Sequence, residues 1–220
     1  MIKGVVFDLD NTLVDSVETI RQAADATLRS KGFRGVDLET LVSVMGLTIF
    51  DLFRRAEPAI EEERMKELFL DYKENYMRFI GSTKLLPKAR ETLEALSAKN
   101  LKMAVVTTKS RYNAVKVLES FDLAHYFGAV VGFEDTDNHK PSPDPIIKAA
   151  SALGLDLGAI AVVGDTDADV AAGKAAGAVT IAVTTGVTPI HKILEKRPDY
   201  VIGNIIEVER IINDLNSRQD

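Results

Sequence analysis

The fold is decided by the stretch Gly4-Val5-Val6-Phe7-Asp8-Leu9-Asp10-Asn11-Thr12-Leu13. An apolar run of this length suits one buried strand, and it stops at the carboxylate of Asp8. Strands that end in this way belong to the parallel sheets of α/β proteins, whose functional groups gather at the carboxyl edge of the sheet. The pattern predicts an α/β fold with Asp8 and Asp10 at that edge.

A second acidic cluster lies far downstream, where another apolar run leads into Gly164-Asp165-Thr166-Asp167-Ala168-Asp169. Either cluster alone also suits an ordinary turn between a strand and a helix, with an aspartate as the N-cap. Together, two strands that end in carboxylates can converge on one cation, because Mg²⁺ accepts one or two carboxylates beside a substrate phosphate. The pair of clusters therefore indicates a phosphoryl-transfer site with Mg²⁺ as its cofactor.

Two shorter signals lie between these clusters. The apolar run of residues 101–106 ends in the hydroxyls of Thr107 and Thr108, and further on Lys140 precedes a proline. Thr107 by itself is an ordinary β-branched strand residue, and a single lysine is usually a solvated surface charge. These two signals matter because, together with the two acidic clusters, they make a set of four segments in a particular order along the chain.

The four segments in this order resemble the motifs of the haloacid dehalogenase-like phosphohydrolases, and the resemblance spans almost the whole chain. Two phrases are similar to the phosphoglycolate-phosphatase-like branch of that family, namely Asp10-Asn11-Thr12-Leu13-Val14-Asp15-Ser16 and Asp169-Val170-Ala171-Ala172-Gly173-Lys174-Ala175-Ala176-Gly177. The resemblance implies a Rossmann-like parallel sheet flanked by helices, with an inserted all-α cap domain between the first and second motifs.

The resemblance also implies a catalytic role for each matched residue. Asp8 would attack phosphorus as the nucleophile, which an ionised carboxylate can do without a helper base. Asp10 would act first as general acid and then as general base, oriented by Thr12. Thr107 would bind a phosphoryl oxygen, and Lys140 would neutralise both the phosphoryl group and Asp8.

The same resemblance implies the ligands of the metal and of the phosphate. Asp8, Asp165 and Asp169 would bind Mg²⁺ through their side chains, Asp169 either directly or through water. Asp10 would complete the metal shell with its backbone carbonyl. Further donors to the phosphate would be the backbone amides of Leu9, Asp10 and Thr108.

An alternation of short apolar runs with helical patterns predicts the elements of the core. We expect strands at 3–8, 102–107, 128–132, 160–164 and 179–183, with a short additional strand near 200–202. We expect helices at 88–99, 111–120, 143–153, 168–176 and 204–215. Residues 16–81 interrupt this alternation with apolar stripes at helical spacing throughout, which predicts a small helical bundle.

The interruption predicts two domains, a catalytic core of residues 1–15 and 82–220 and a helical cap of residues 16–81, with hinges at Asp15-Ser16 and Gly81-Ser82. In similar proteins a loop between cap helices closes over the site, and here it matches residues 45–54. Gly46 and Arg54 are the predicted substrate contacts in this loop, although Arg54 also suits an ordinary surface charge. Many sugar-phosphate relatives carry Arg or Lys just after the loop glycine, whereas residues 47–50 here are Leu-Thr-Ile-Phe.

The composition limits the classes of partner. The chain has 220 residues, a formal net charge of -6, three histidines and no cysteine. The negative charge argues against a nucleic-acid partner, and the lack of thiolates leaves oxygen as the expected metal ligand. No apolar stretch approaches the roughly 18 residues of a membrane span, and no signal-peptide pattern opens the sequence. We expect a cytoplasmic monomer or homodimer without a membrane partner.

The predicted function is Mg²⁺-dependent hydrolysis of a small phosphorylated metabolite through an aspartyl-phosphate, with phosphoglycolate as the leading candidate. A haloacid dehalogenase of the same fold is an alternative that resembles this chain less, because that branch lacks the second acid represented by Asp10. A phosphosugar mutase is another, weakened by the composition of the cap loop. A non-catalytic binding protein that retained the fold is the third, although clustered carboxylates without a cation would only repel one another.

Overall fold

A parallel sheet forms the centre of the protein. The computed structural model describes residues 1–217, in which the strands are β1 (Gly4–Phe7), β2 (Val14–Asp15), β3 (Lys84–Leu85), β4 (Lys102–Val106), β5 (Ala129–Val131), β6 (Ile160–Gly164), β7 (Val179–Val183) and β8 (Tyr200–Ile202). Six of these strands pair in the order β5-β4-β1-β6-β7-β8, and every pairing is parallel. The carboxyl end of β1 is therefore flanked by β4 and β6.

Helices cover both faces of the sheet and form the insertion. They are α1 (Val17–Ser30), α2 (Leu38–Ser43), α3 (Ile49–Ala56), α4 (Glu62–Phe79), α5 (Ala89–Ala98), α6 (Arg111–Ser120), α7 (Asp144–Leu153), α8 (Asp167–Ala176), α9 (Ile190–Glu195) and α10 (Glu207–Ser217). No helix within residues 1–217 combines the length and the apolarity that crossing a membrane requires.

The two faces of the sheet pack separate apolar clusters, because successive side chains of a strand point to opposite sides. Val5 and Phe7 of β1 pack with residues of α5, α6 and α10, in a cluster that continues into the insertion. Val6 packs on the other face with residues of α7 and α8. All three side chains are fully buried, as a central parallel strand requires.

The insertion consists of α1 to α4 and is carried on a short antiparallel stem formed by β2 and β3. Val14 pairs with Leu85 in this stem, and Asp15 pairs with Lys84. α1 packs lengthwise against α4, where the Asn75 side-chain amide donates to the Thr27 hydroxyl at 3.0 Å. The chain thus leaves the core and returns to it at adjacent points.

Every predicted strand and helix of the core is present, with ends that differ by a few residues; the largest difference is at α10, which begins at Glu207. Two features escaped prediction, the β2–β3 stem and α9. Strands of two residues are too short to show an apolar alternation, so only their pairing defines them. The four helices of the insertion agree with the predicted small helical bundle, and turns at Gly32 and Gly46, where φ is +82° and +88°, lie between them.

Candidate active site

Asp8 lies directly after β1, at the centre of the carboxyl edge of the sheet. Its backbone amide donates to the Val163 carbonyl of the neighbouring β6 at 2.8 Å, which holds the residue in line with the strand. The residue is only 8% exposed. Burial raises the pKa of Asp8 to about 7, with Lys140 opposing the rise and Asp169 and Asp10 adding to it.

Lys140 reaches the same point from the loop that precedes α7. Its ammonium donates to Asp8 Oδ1 and to Asp169 Oδ1, both at 2.6 Å, and to the Val106 carbonyl at 3.3 Å. Burial works against its charge, but the two carboxylates outweigh burial and raise the pKa of Lys140 above its usual range. Lys140 is therefore a permanent cation between the two acidic motifs.

Three buried carboxylates converge beside this lysine. Asp8, Asp165 and Asp169 each offer an oxygen, and these oxygens lie within 4.8 Å of one another. Asp165 Oδ1 accepts from the Thr12 hydroxyl at 3.0 Å, whereas Asp165 Oδ2 is buried without a hydrogen-bond partner among residues 1–217. Burial, followed by the charges of Asp8 and Asp169, raises the pKa of Asp165 well above its usual range.

The triad fits a hard divalent cation. An orphaned carboxylate oxygen that faces other carboxylates is costly unless a positive charge completes the group. The donor set consists of oxygen atoms alone, as Mg²⁺ prefers. Space beside the orphaned oxygen is kept by Gly186, because a Cβ there would stand 1.8 Å from Asp165 Oδ2. These residues could therefore hold a metal ion.

Asp169 is aligned by the first turn of α8. Asp169 Oδ2 accepts from the Thr166 amide at 3.1 Å and from the Thr166 hydroxyl at 2.6 Å, while the Asp169 amide donates back to that hydroxyl at 3.2 Å. This reciprocal capping box satisfies the helix terminus and fixes the carboxylate. The other oxygen, Oδ1, is thereby left to face Lys140 and the triad.

Asp10 has a set of partners separate from those of the triad. Its Oδ1 accepts a short hydrogen bond from the Ser16 hydroxyl, and its Oδ2 lies 3.1 Å from Lys109 Nζ. The prediction that Thr12 orients Asp10 is not supported by these contacts, because the Thr12 hydroxyl is committed to Asp165. Ser16, at the start of α1, holds Asp10 instead.

Lys109 is the functional candidate that sequence reasoning missed. Its side chain is only 3% exposed, and its ammonium lies 4.2 Å from the centroid of the Tyr76 ring in α4. Burial opposes its charge, but Asp10 together with Tyr76 and Tyr72 outweighs burial and raises the pKa of Lys109 above its usual range. The available signal was its place directly after Thr107 and Thr108, at the end of a strand that was already singled out.

The other residues predicted to contact the phosphate or the substrate are Thr107, Thr108 and Arg54, and only some of them lie near the acidic residues. The Thr107 hydroxyl accepts from the Lys109 amide at 3.2 Å, and the Thr108 hydroxyl donates to the Leu47 carbonyl of the insertion at 3.0 Å. Arg54 lies outside the acidic pocket, because it is on the outer side of α3, where its guanidinium pairs with Glu62 at 2.9 Å. Its position gives the predicted substrate contact no support.

The acidic residues form the floor of a pocket that the insertion covers. The cavity measures about 60 Å³ and is lined by the core acids, by Lys109 and Lys140, and by residues of α1 to α4 and the loop before α3. Gly46 allows that loop to approach α8 closely, because a Cβ there would stand 2.7 Å from Thr166 Cγ2. The predicted loop contact at Gly46 thus lines the pocket.

Comparison with known proteins agrees with this geometry. A phosphoglycolate phosphatase from Neisseria meningitidis is 30% identical over 228 aligned positions, which cover 100% of this chain and 97% of that protein. A pyrophosphatase from Halalkalibacterium halodurans is 31% identical over 212 positions, covering 96% and 97%. The crystal structure of a haloacid dehalogenase-like family hydrolase from Streptococcus pneumoniae matches with a TM-score of 0.82 and 26% identity, covering 96% and 98%.

The family model described as haloacid dehalogenase-like hydrolase matches residues 5–183, from β1 to the end of β7. That span contains all four motif segments and the whole insertion. The resemblance drawn from the sequence is therefore confirmed, and the chain belongs to the haloacid dehalogenase-like hydrolase family.

Proposed function

We propose that this protein is a Mg²⁺-dependent phosphatase that hydrolyses a small phosphorylated metabolite through an aspartyl-phosphate on Asp8. One observation carries the proposal: four residues meet at the floor of one covered pocket, namely Asp8, Lys140, Asp165 and Asp169. The relatives named as phosphatases support the reaction class. Phosphoryl transfer depends on positioning and charge neutralisation, and this floor offers both.

Asp8, Asp165 and Asp169 would hold Mg²⁺, with the Asp10 carbonyl as a further ligand implied by the family. The chemistry that the ion supplies when bound is neutralisation of charge between a carboxylate nucleophile and a phosphate dianion. Lys140 contributes a second positive charge from the protein itself, 2.6 Å from the nucleophile. Its cation opposes the rise in the pKa of Asp8 and offers a donor to the phosphoryl oxygens.

The residues divide the reaction into two balanced steps. In the first, an Asp8 oxygen bonds to phosphorus while the bond from phosphorus to the ester oxygen breaks, and the Asp10 carboxyl gives its proton to that leaving oxygen. In the second, Asp10 takes a proton from water, the water oxygen bonds to phosphorus, and the bond from phosphorus to Asp8 breaks. Inorganic phosphate leaves, and both carboxyl groups return to their starting forms.

Asp10 suits the role of general acid and base because its hydrogen-bonding partners differ from those of the metal-binding acids. Ser16 and Lys109 bind its two oxygens from opposite elements, so that the carboxyl group faces the pocket in one orientation. Thr107 and the backbone amides of Leu9, Asp10 and Thr108 are further proposed contacts to the phosphoryl group. Thr108 would act through its amide, because its hydroxyl is engaged by Leu47.

We assign residues 16–81 as a cap over this core, with Gly46 at the closing loop. The short β2–β3 stem lets the insertion move as a unit at its two ends, near Ser16 and Ser82. A closed cap excludes water from the reacting groups, which strengthens the electrostatic interactions inside. The hydrogen bond from Thr108 to Leu47 and the contact of Lys109 with Tyr76 would be broken and remade as the cap moves.

Hydrolysis of a chromogenic aryl phosphate tests the proposal. We expect turnover with Mg²⁺ and none in excess chelator, and we expect Asp8→Asn to abolish both turnover and acid-stable labelling by phosphate. Asp122→Asn is the matched control, because the Asp122 side chain is 92% exposed and far from the motifs in sequence. Full activity in chelator, or labelling of the Asp8→Asn protein, would exclude this mechanism.

A further inference from the structure

The roof of the pocket is uncharged. Every pocket-lining residue that the insertion contributes within the described chain is apolar, glycine, threonine or tyrosine. The apolar members nearest the loop include Leu41, Val44, Met45, Leu47, Ile49 and Phe69. In contrast, the floor supplied by the core carries all of the charges. The two ends of a bound phosphate ester would therefore meet different environments.

The cations of the floor are already committed. Lys140 is held between Asp8 and Asp169, and Lys109 is held by Asp10. Among the described residues that line this cavity, these two lysines are the only cationic side chains. Arg54, the nearest charged candidate from sequence, is paired with an acid elsewhere. A second anionic group on the substrate would find no unpaired cationic side chain among the described residues that line this cavity.

The polar groups of the roof are also engaged. The Thr48 hydroxyl donates to Asp51 at 2.5 Å in the capping box of α3. The Leu47 carbonyl accepts from the Thr108 hydroxyl at 3.0 Å. Tyr72 remains a neutral phenol, because burial raises its pKa above its usual range. The roof thus presents aliphatic and aromatic surface to the leaving group.

The charge balance leads to the same result. Four carboxyl groups and two ammonium groups line the pocket, so its acidic groups already outnumber its cations. The transferring phosphoryl group would bring two further negative charges, which Lys140 and a divalent cation held by the triad would offset. A carboxylate or a second phosphate on the leaving group would add negative charge beneath an apolar roof, where an unpaired ion loses its hydration.

We propose that the site selects phosphate monoesters whose leaving group is a neutral and partly apolar alcohol, and that it discriminates against leaving groups that carry a carboxylate or a second phosphate. This inference rests on the proposed phosphatase function. Phosphoglycolate, which the sequence resemblance suggests as a substrate, carries a carboxylate on its leaving group and can be compared directly with neutral esters of similar shape.

Three small esters of similar shape test the inference. We expect kcat/KM with Mg²⁺ to be about 100-fold higher for phosphoglycolamide and n-propyl phosphate than for phosphoglycolate, because only the last buries an unpaired charge. Calorimetric binding of the same esters to the Asp8→Asn protein provides a readout without turnover, and the same order of affinity is expected there.

A cation placed in the roof should reduce the preference for the neutral esters. Leu47 is 45% exposed, so Leu47→Arg is compatible with folding, and we expect it to raise kcat/KM for phosphoglycolate roughly 10-fold and to lower it for n-propyl phosphate. Leu70→Arg is the control, since Leu70 is 61% exposed on α4 and does not line the cavity. The control should keep the order of the parent protein.

The outcomes separate the two proposals. Hydrolysis of an aryl phosphate together with an equal or higher kcat/KM for phosphoglycolate would overturn the inference and leave the phosphatase function standing. Failure to hydrolyse any of the esters, the aryl phosphate included, would overturn both. A Leu47→Arg protein with unchanged selectivity would show that the roof does not contact the leaving group, which also overturns the inference.

Discussion

Replacement of Asp8 by asparagine should stabilise the metal-free protein at neutral pH while it removes activity. Burial raises the pKa of Asp8 from 3.8 to about 7 in the folded protein. The folded state therefore keeps a proton that the unfolded chain releases above about pH 4. Because the folded state binds more protons in this range, the free energy of unfolding falls as the pH rises from about 4 to about 7.

The magnitude follows from the size of the shift. Each unit of pKa corresponds to about 1.36 kcal/mol, so a shift of roughly three units costs the folded protein about 4 kcal/mol at pH 7.5. The cost is smaller at pH 5, about 2 kcal/mol, because Asp8 is still protonated in the folded state. An asparagine amide oxygen accepts from Lys140 as a neutral carboxyl would. The stability difference between variant and parent should thus grow by roughly 2 kcal/mol from pH 5 to pH 7.5.

Urea denaturation in excess chelator at the two pH values measures this difference. Taking the difference between the proteins cancels the titration of groups that the substitution does not touch. Added Mg²⁺ should raise the stability of the parent more than that of Asp8→Asn, since the variant has lost one ligand. The reasoning fails if Asp8→Asn is no more stable than the parent at pH 7.5 in chelator, or if the gap does not change with pH.

Three further predictions concern other parts of the protein. Lys109→Met should lower kcat for aryl phosphate roughly 10- to 100-fold with little change in KM, because Asp10 loses the partner at 3.1 Å that positions it; an unchanged kcat would make Lys109 purely structural. Burial works to raise the pKa of Asp199, but hydrogen bonds from Lys174 and Thr180 outweigh burial and lower that pKa below its usual range. Because the Asp199 side chain is 38% exposed, Asp199→Ala should cost only about 0.5–1 kcal/mol in urea denaturation at pH 7, and this cost should shrink as the pH falls below about 4, where the carboxylate is protonated. Gly46→Ala should impair activity because φ is +88° and α8 lies close by, whereas Gly158→Ala, which has open space around it, should behave like the parent in the same assay.

Sequence reasoning was most successful where a feature depends on order and spacing along the chain. The buried strands were predictable because a central parallel strand is apolar on both faces, as residues 4–7 and 160–164 show. Asp8 and Asp165 could be placed at one edge because parallel strands all end on the same side. The pairing of Lys140 with Asp8 followed from the family motif and is present at 2.6 Å.

The partners of the polar side chains were not available from the sequence. Thr12 and Ser16 are both hydroxyl residues close to Asp10, and nothing in their spacing says which one binds it. The structure pairs Thr12 with Asp165, 153 positions away, and pairs Ser16 with Asp10. In the sequence, Lys109 looks like an ordinary surface lysine. In the structure, the Tyr76 ring and Asp10 enclose its ammonium group.

The sequence by itself determined the α/β class, the order of the strands and helices along the chain and the identity of the acids at the strand ends, because periodicity and residue type are local properties. Tertiary structure alone decided which oxygen faces which donor, that the roof of the pocket is uncharged, and that Arg54 points away from it. Hydrogen-bond partners and burial depend on atoms brought together from distant parts of the chain, and only packing establishes those distances.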